Sequence, residues 1–200
     1  MNSIKSFFFV ILLITSLSLQ AQDAGTVDGV ITWTDGTQTE TSIFVPMTSR
    51  SFYPIDMAFF QEKGVRYLDE SGDHRLITQD RLDYFEFTFQ DSLYLIKYAE
   101  KTYNGISTLM RVVINGKVQL LEHHYLKESA NGIEMREVRY YLCMPDRDGS
   151  ASTSIIKMNF KKSCLAFFAD YPDMLQKIND KEFKYKSIKK MVRYFNAEHG

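Results

Sequence analysis

The chain is poor in cysteine. Cys143 and Cys164 are the only two in 200 residues, and their separation excludes a Cys-x-x-Cys redox or zinc motif. Two readings stay open for the pair. In an oxidising compartment they bridge, and closing a loop of this size contributes about 3 kcal/mol. Otherwise they are two small buried thiols, since free cysteine is among the most buried residue types. Glycine is never clustered: the ten glycines occur singly, which excludes a glycine-rich phosphate loop. No Gly-x-Ser-x-Gly elbow is present to present a nucleophilic serine. An excess of one charge is missing too. Lys and Arg number 24 against 25 Asp and Glu, too balanced for the electrostatic footprint of a nucleic-acid binder. What the chain does have is apolar and aromatic: 44% hydrophobic residues, with 15 Phe and 12 Tyr. That excludes a disordered chain.

Long apolar runs occur only at the beginning. Met1–Ala21 has one positive charge, Lys5, then the run Phe7–Leu19, then Gln20 and a small residue, Ala21. An apolar stretch of about 7–15 residues followed by a small residue before the cut is a signal-peptide pattern, whereas a membrane span needs about 20. The pattern predicts cleavage after Ala21, the alternative being an uncleaved anchor. No cysteine lies near the cut, which argues against a lipid anchor. The expected product, residues 22–200, is one soluble exported domain, periplasmic or extracellular, that does not span the membrane.

The organising stretch is Tyr84–Tyr98. Phe85, Phe87 and Phe89 recur at every second position with Glu86 and Thr88 between them, which puts three rings on one face of a strand. Gln90-Asp91-Ser92 turns the chain, and Leu93, Leu95, Ile96 and Tyr98 return. Hairpin signals recur elsewhere. Asp35-Gly36 and Asn115-Gly116 are favoured two-residue turns. Met57–Phe60 and Val65–Leu68 read as short strands, Tyr103-Asn104-Gly105 as a turn, and Glu134–Met144 as an alternating strand. The fold class expected is α+β: an antiparallel meander of roughly eight or nine strands over 22–144, forming an open sheet or partial barrel. Pro145–Thr153 is a polar boundary. Beyond it, over 154–200, the period lengthens toward 3.6 and predicts a cap of two or three short helices. Cys164, Phe167 and Phe168 share one side, Pro172 opens the next helix, and Ile188, Met191, Val192 and Phe195 form a stripe.

This layout resembles a broad group of uncharacterised secreted or cell-envelope proteins of Gram-negative bacteria. The residues that carry the resemblance are Leu19–Gln22, Asp35-Gly36, Tyr53-Pro54, Phe167-Phe168, Asp170-Tyr171-Pro172, Val192 and Tyr194-Phe195-Asn196. It implies a compartment and an architecture, and no activity, cofactor or catalytic residue.

Constellations for chemistry are thin. His123 and His124 are adjacent and so face opposite ways in a strand. Glu122 and His124 share a face, and a metal would need a third ligand from elsewhere, such as His74. Cys164 follows Lys161 and Lys162, which would lower a thiol pKa, but the apolar Leu165–Phe168 beside it points to burial. Asp69-Glu70 and Asp146/Asp148 read as polar turns. Lys186, Lys189, Lys190 and Arg193 form a basic patch away from the apolar stripe of the last helix, either for an acidic surface or as its solvated face. Tyr94, Tyr98, Tyr125 and Tyr141 are either a contact surface or half-buried sheet residues. The function expected is a non-enzymatic binding or structural domain of the cell envelope, with no cofactor or metal. Its partner would be another envelope protein, a glycan or an acidic surface. Alternatives are a β-barrel carrier of a small apolar ligand and a hydrolase with dispersed acidic and histidine residues.

Overall fold

The computed structural model describes residues 24–47, 55–77, 81–99, 108–129, 131–132, 134–145 and 153–200. The expectations for the leader, for Tyr53-Pro54, for the Tyr103–Gly105 turn and for Asp146/Asp148 lie outside them. Ten strands form one antiparallel sheet: β1 (Ala24–Trp33), β2 (Gln38–Pro46), β3 (Val65–Leu68), β4 (His74–Ile77), β5 (Leu82–Phe89), β6 (Ser92–Ala99), β7 (Thr108–Ile114), β8 (Gln119–Glu128), β9 (Glu134–Cys143) and β10 (Thr153–Ile155). Their order is β10-β9-β8-β7-β6-β5-β1-β2-β3-β4. The sheet is open, with β10 and β4 at its edges. The meander from β5 to β10 is strictly sequential, and β1–β4 extend the other side because β1 pairs with both β2 and β5.

The turns follow the local residues. Gln90 and Asp91 both take positive φ, 47° and 58°, the geometry that a two-residue hairpin connection with matching twist requires. Ten strands replace the expected eight or nine. Two stretches differ from the sequence reading. Thr153, read as the end of the polar boundary, and Ser154-Ile155, read as the start of the helical cap, pair with β9 as the last strand. Met57–Phe60 is no strand but the start of a helix, α1 (Met57–Lys63). Asp56 caps it by accepting the Phe59 N–H, and Gly64, at φ 75°, ends it while donating to the Phe60 carbonyl. A cap and a left-handed glycine define this helix, whereas a window of four apolar residues carries no period.

One face of the sheet has two covers. Phe60 of α1 packs on Phe85 at 5.4 Å between ring centroids and on Phe87 at 6.5 Å. These rings join Ile31, Ile43, Ile96 and Leu109, all 0–2% exposed. The second cover is helical: α2 (Phe160–Phe167), α3 (Pro172–Asn179) and α4 (Ile188–His199). Cys164, Met174, Met191, Val192 and Phe195 pack there on Val118, Leu120, Leu142 and Ile155. Helices this short are marginal alone and depend on that burial. Asn196 fixes α4 in place: its side-chain amide accepts the Val118 N–H at 2.8 Å and donates to the Val118 carbonyl at 2.9 Å. Gly116 makes room for it, since a Cβ there would lie 2.5 Å from Asn196 Nδ2. No described helix is long and apolar enough to cross a membrane.

The opposite face carries a third cluster, Met110, Val112, Leu121, Tyr141 and Cys143, made of strand residues alone. This arrangement decides between the two readings of the cysteines. Leu142 packs with Cys164, so its strand neighbour Cys143 points to the other face. Both thiols are buried and are not joined to each other. Burial pushes the Cys164 thiol up to about 12 and also raises that of Cys143, against the nearby Lys97 charge. The thiolate is the reactive form. Iodoacetamide at pH 8 is therefore expected to leave the native protein unmodified and to add two groups after denaturation without reductant. A denatured chain that accepts none would establish a bridge and contradict this packing.

Candidate binding groove

Strand register carries one row of side chains straight across the covered face: Ile31, Phe85, Ile96, Arg111, Glu122, Tyr140, Ile155. The row is apolar at both ends and charged in the middle, between the two covers. Glu122 is only 4% exposed. His124, two residues on and on the same face, brings Nε2 to 3.5 Å from its carboxylate. Lys189 of α4 reaches the other oxygen at 3.4 Å. Arg111 stands opposite in the register and lays its guanidinium over the Tyr94 ring at 4.3 Å. Burial pushes the Glu122 carboxyl up. The His124 hydrogen bond and the Lys189, His124 and Arg111 charges outweigh burial and hold it below its usual 4.5.

The sequence reading placed Glu122 and His124 on one face, and they are. It offered His74 as a third ligand. His74 lies on edge strand β4, where its ring packs at 4.6 Å on Phe44. Among the described residues no three metal-ligating side chains converge. Lys186, Lys189, Lys190 and Arg193 of the basic patch are all exposed, and Lys189 also reaches the buried Glu122. Of the four tyrosines, Tyr94 and Tyr141 are buried, while Tyr98 and Tyr125 are half-buried. Tyr125 lies on the opposite face with His123 stacked at 5.4 Å, and burial, then the Arg139 and His124 charges, lower His123 to about 4.

That opposite face holds a groove. Two β-bulges flank it. On β5, Tyr84 pairs with Thr32 and Leu82 with Trp33, so Asp83 is the extra residue. On β7, Val112 pairs with Leu121 and Ile114 with Leu120, so Val113 is extra. Bulges re-aim side chains and bend strands. Here Asp83 lines the groove alongside Tyr84 and Glu86, facing Lys97, Asn115 and Gln119, with Leu95 and Val112 between. The cavity is about 320 Å³, at the lower end of the ~300–1,000 Å³ typical of small-molecule sites.

Its polar groups are organised. Lys97 Nζ donates to Gln119 Oε1 at 3.3 Å, and Gln119 Nε2 donates to Asn115 Oδ1 at 2.8 Å. The Gly116 N–H also donates to that Asn115 oxygen, at 3.1 Å. The Asn115 oxygen thus accepts two hydrogen bonds and the Gln119 oxygen one, while among the described residues Lys97, Gln119 and Asn115 retain unused N–H donors. The carboxylates of Asp83 and Glu86 are acceptors only. The sequence shows Glu86 as polar between phenylalanines, but nothing in it singles out Lys97, which the register sets beside Tyr84. It carried no sign of the bulges, which arise from pairing.

Glu122 generates a pH prediction. A carboxyl held below its unfolded value adds stability that is complete above about 4.5 and is lost as pH falls below it. Glu122→Gln should destabilise the fold by roughly 1–3 kcal/mol at pH 7, less than the ~3–5 of a fully buried pair because Lys189 is 45% exposed. The loss should shrink at pH 3. Urea denaturation at both pH values measures it, and an equal loss at both would contradict the assignment.

Comparison with protein-family models, with curated proteins and with solved structures finds no match.

Proposed function

We propose that the protein is an exported, non-enzymatic binding domain of the bacterial cell envelope, and that the groove between the two bulges is its binding site. The observation that carries this is the groove itself. Six polar side chains from β5, β6, the β7–β8 turn and β8 converge there over a small apolar floor. The export part of the reading rests on the leader pattern of Met1–Ala21.

The other readings fit the geometry less well. A carrier of an apolar ligand would keep the phenylalanine face open, yet Phe60 occupies it against Phe85 and Phe87. A hydrolase built on Glu122 and His124 would need substrate to reach them. They are 4% and 8% exposed and already engaged with each other and with Lys189.

Native mass spectrometry of the full-length gene product exported by a bacterial host tests the proposal, for wild type and Lys97→Ala. The expected result is a chain starting at Gln22 that carries a small-molecule adduct. Losing one charge-assisted hydrogen bond should reduce its occupancy about tenfold in the variant. An unprocessed chain held inside the cell, or an adduct indifferent to Lys97, would contradict it.

A further inference from the structure

The donors and acceptors of the groove are arranged in a way that selects a chemical class. One side offers mainly donors: the remaining N–H groups of Lys97, Gln119 and Asn115, with the Asn115 oxygen already accepting two hydrogen bonds and the Gln119 oxygen one. The other side offers the carboxylate acceptors of Asp83 and Glu86, which have no hydrogen bond or ion pair among the described residues, and the Tyr84 phenol. The floor between them is aliphatic, Leu95 and Val112. We infer that this groove binds an uncharged saccharide, one or two rings of a neutral glycan.

Each feature follows from what a sugar ring presents. A hydroxyl donates and accepts at once, so neighbouring hydroxyls can give hydrogens to Glu86 and Asp83 while others accept from Lys97, Asn115 and Gln119. The C–H face of the ring is apolar and suits the Leu95/Val112 floor. Charge argues for a neutral ligand. Two carboxylates against one ammonium disfavour an anion, and with Asp83 exposed and Glu86 half-buried a lone cation gains little over water. A zwitterion could match both sides in sign. However, Asp83 is exposed and Glu86 and Lys97 are only half-buried, so charged groups there stay partly hydrated and ion pairing gains little. Several directional bonds to an uncharged polyol lose less to water and salt.

This inference rests on the groove being the binding site, and its test separates the two claims. Isotope-labelled protein, residues 22–200, would be titrated with maltose, cellobiose and N,N′-diacetylchitobiose, and separately with glycylglycine, while amide resonances are followed. The expected result is saturable shifts at Lys97, Asn115 and Gln119 with at least one disaccharide. Glu86→Gln, which keeps size and removes the charged acceptor, should weaken binding about tenfold, as should Gln119→Ala. Circular dichroism checks both folds, and either variant alone suffices if the other fails to fold. Binding of glycylglycine in the groove with no disaccharide bound would overturn the saccharide class and leave the groove standing. Disaccharide binding elsewhere, or unaffected by the variants, would overturn the inference, as would no binding by any probe. An adduct lost in Lys97→Ala would still uphold the groove.

Discussion

A carboxylate taken almost wholly out of water stays ionised only where positive charge is near, and Glu122 lies 3.4 Å from the Lys189 ammonium, in the field of Arg111 and beside the His124 ring. Arg111 and His124 belong to the sheet, and Lys189 comes from the last helix. The charged group lies in the middle of a cross-strand row whose ends are apolar. It therefore marks the seam between the α1 cover and the helical cover. A helix layer slid by one turn along the sheet would leave Glu122 without Lys189, at the cost of an uncompensated buried charge. Asn196 adds a second fixed point at Val118. Apolar burial supplies the attraction between layers, and these polar contacts select one arrangement of them.

Closing one face leaves chemistry for the other. On the covered face the titratable groups are spent on one another. On the opposite face, strand alternation delivers Tyr84, Glu86 and Lys97 between residues that point into the core. The bulges at Asp83 and Val113 then bend the flanking strands and bring a carboxylate and the β7–β8 turn around Leu95 and Val112. Fold and groove thus share one cause, the two-residue period of β5–β8 interrupted at two places.

Much of the architecture is legible in the residues. The phenylalanine alternation, the Gln90-Asp91 and Asn115-Gly116 turns and the apolar stripe of α4 each determine local structure through sterics or periodicity, and each stands where expected. Glu122 and His124 share a face because period two leaves no other choice. The misses are of another kind. A helix as short as α1 shows no period and reveals itself only through Asp56 and Gly64. The three residues of β10 are strand only because β9 offers an edge. Lys189 looks like its neighbours Lys190 and Arg193 until the sheet supplies Glu122. The groove depends on pairing register, which no stretch of sequence contains by itself.

The most direct measurement of the central claim is a double-mutant cycle between Glu122→Gln and Lys189→Met, read by urea denaturation at pH 7. The account predicts non-additive losses, with a coupling of about 0.5–3 kcal/mol between two residues 67 positions apart in sequence, one on β8 and one on α4. Additive losses would contradict it, because they would mean that the buried carboxylate does not hold the helical layer to the sheet.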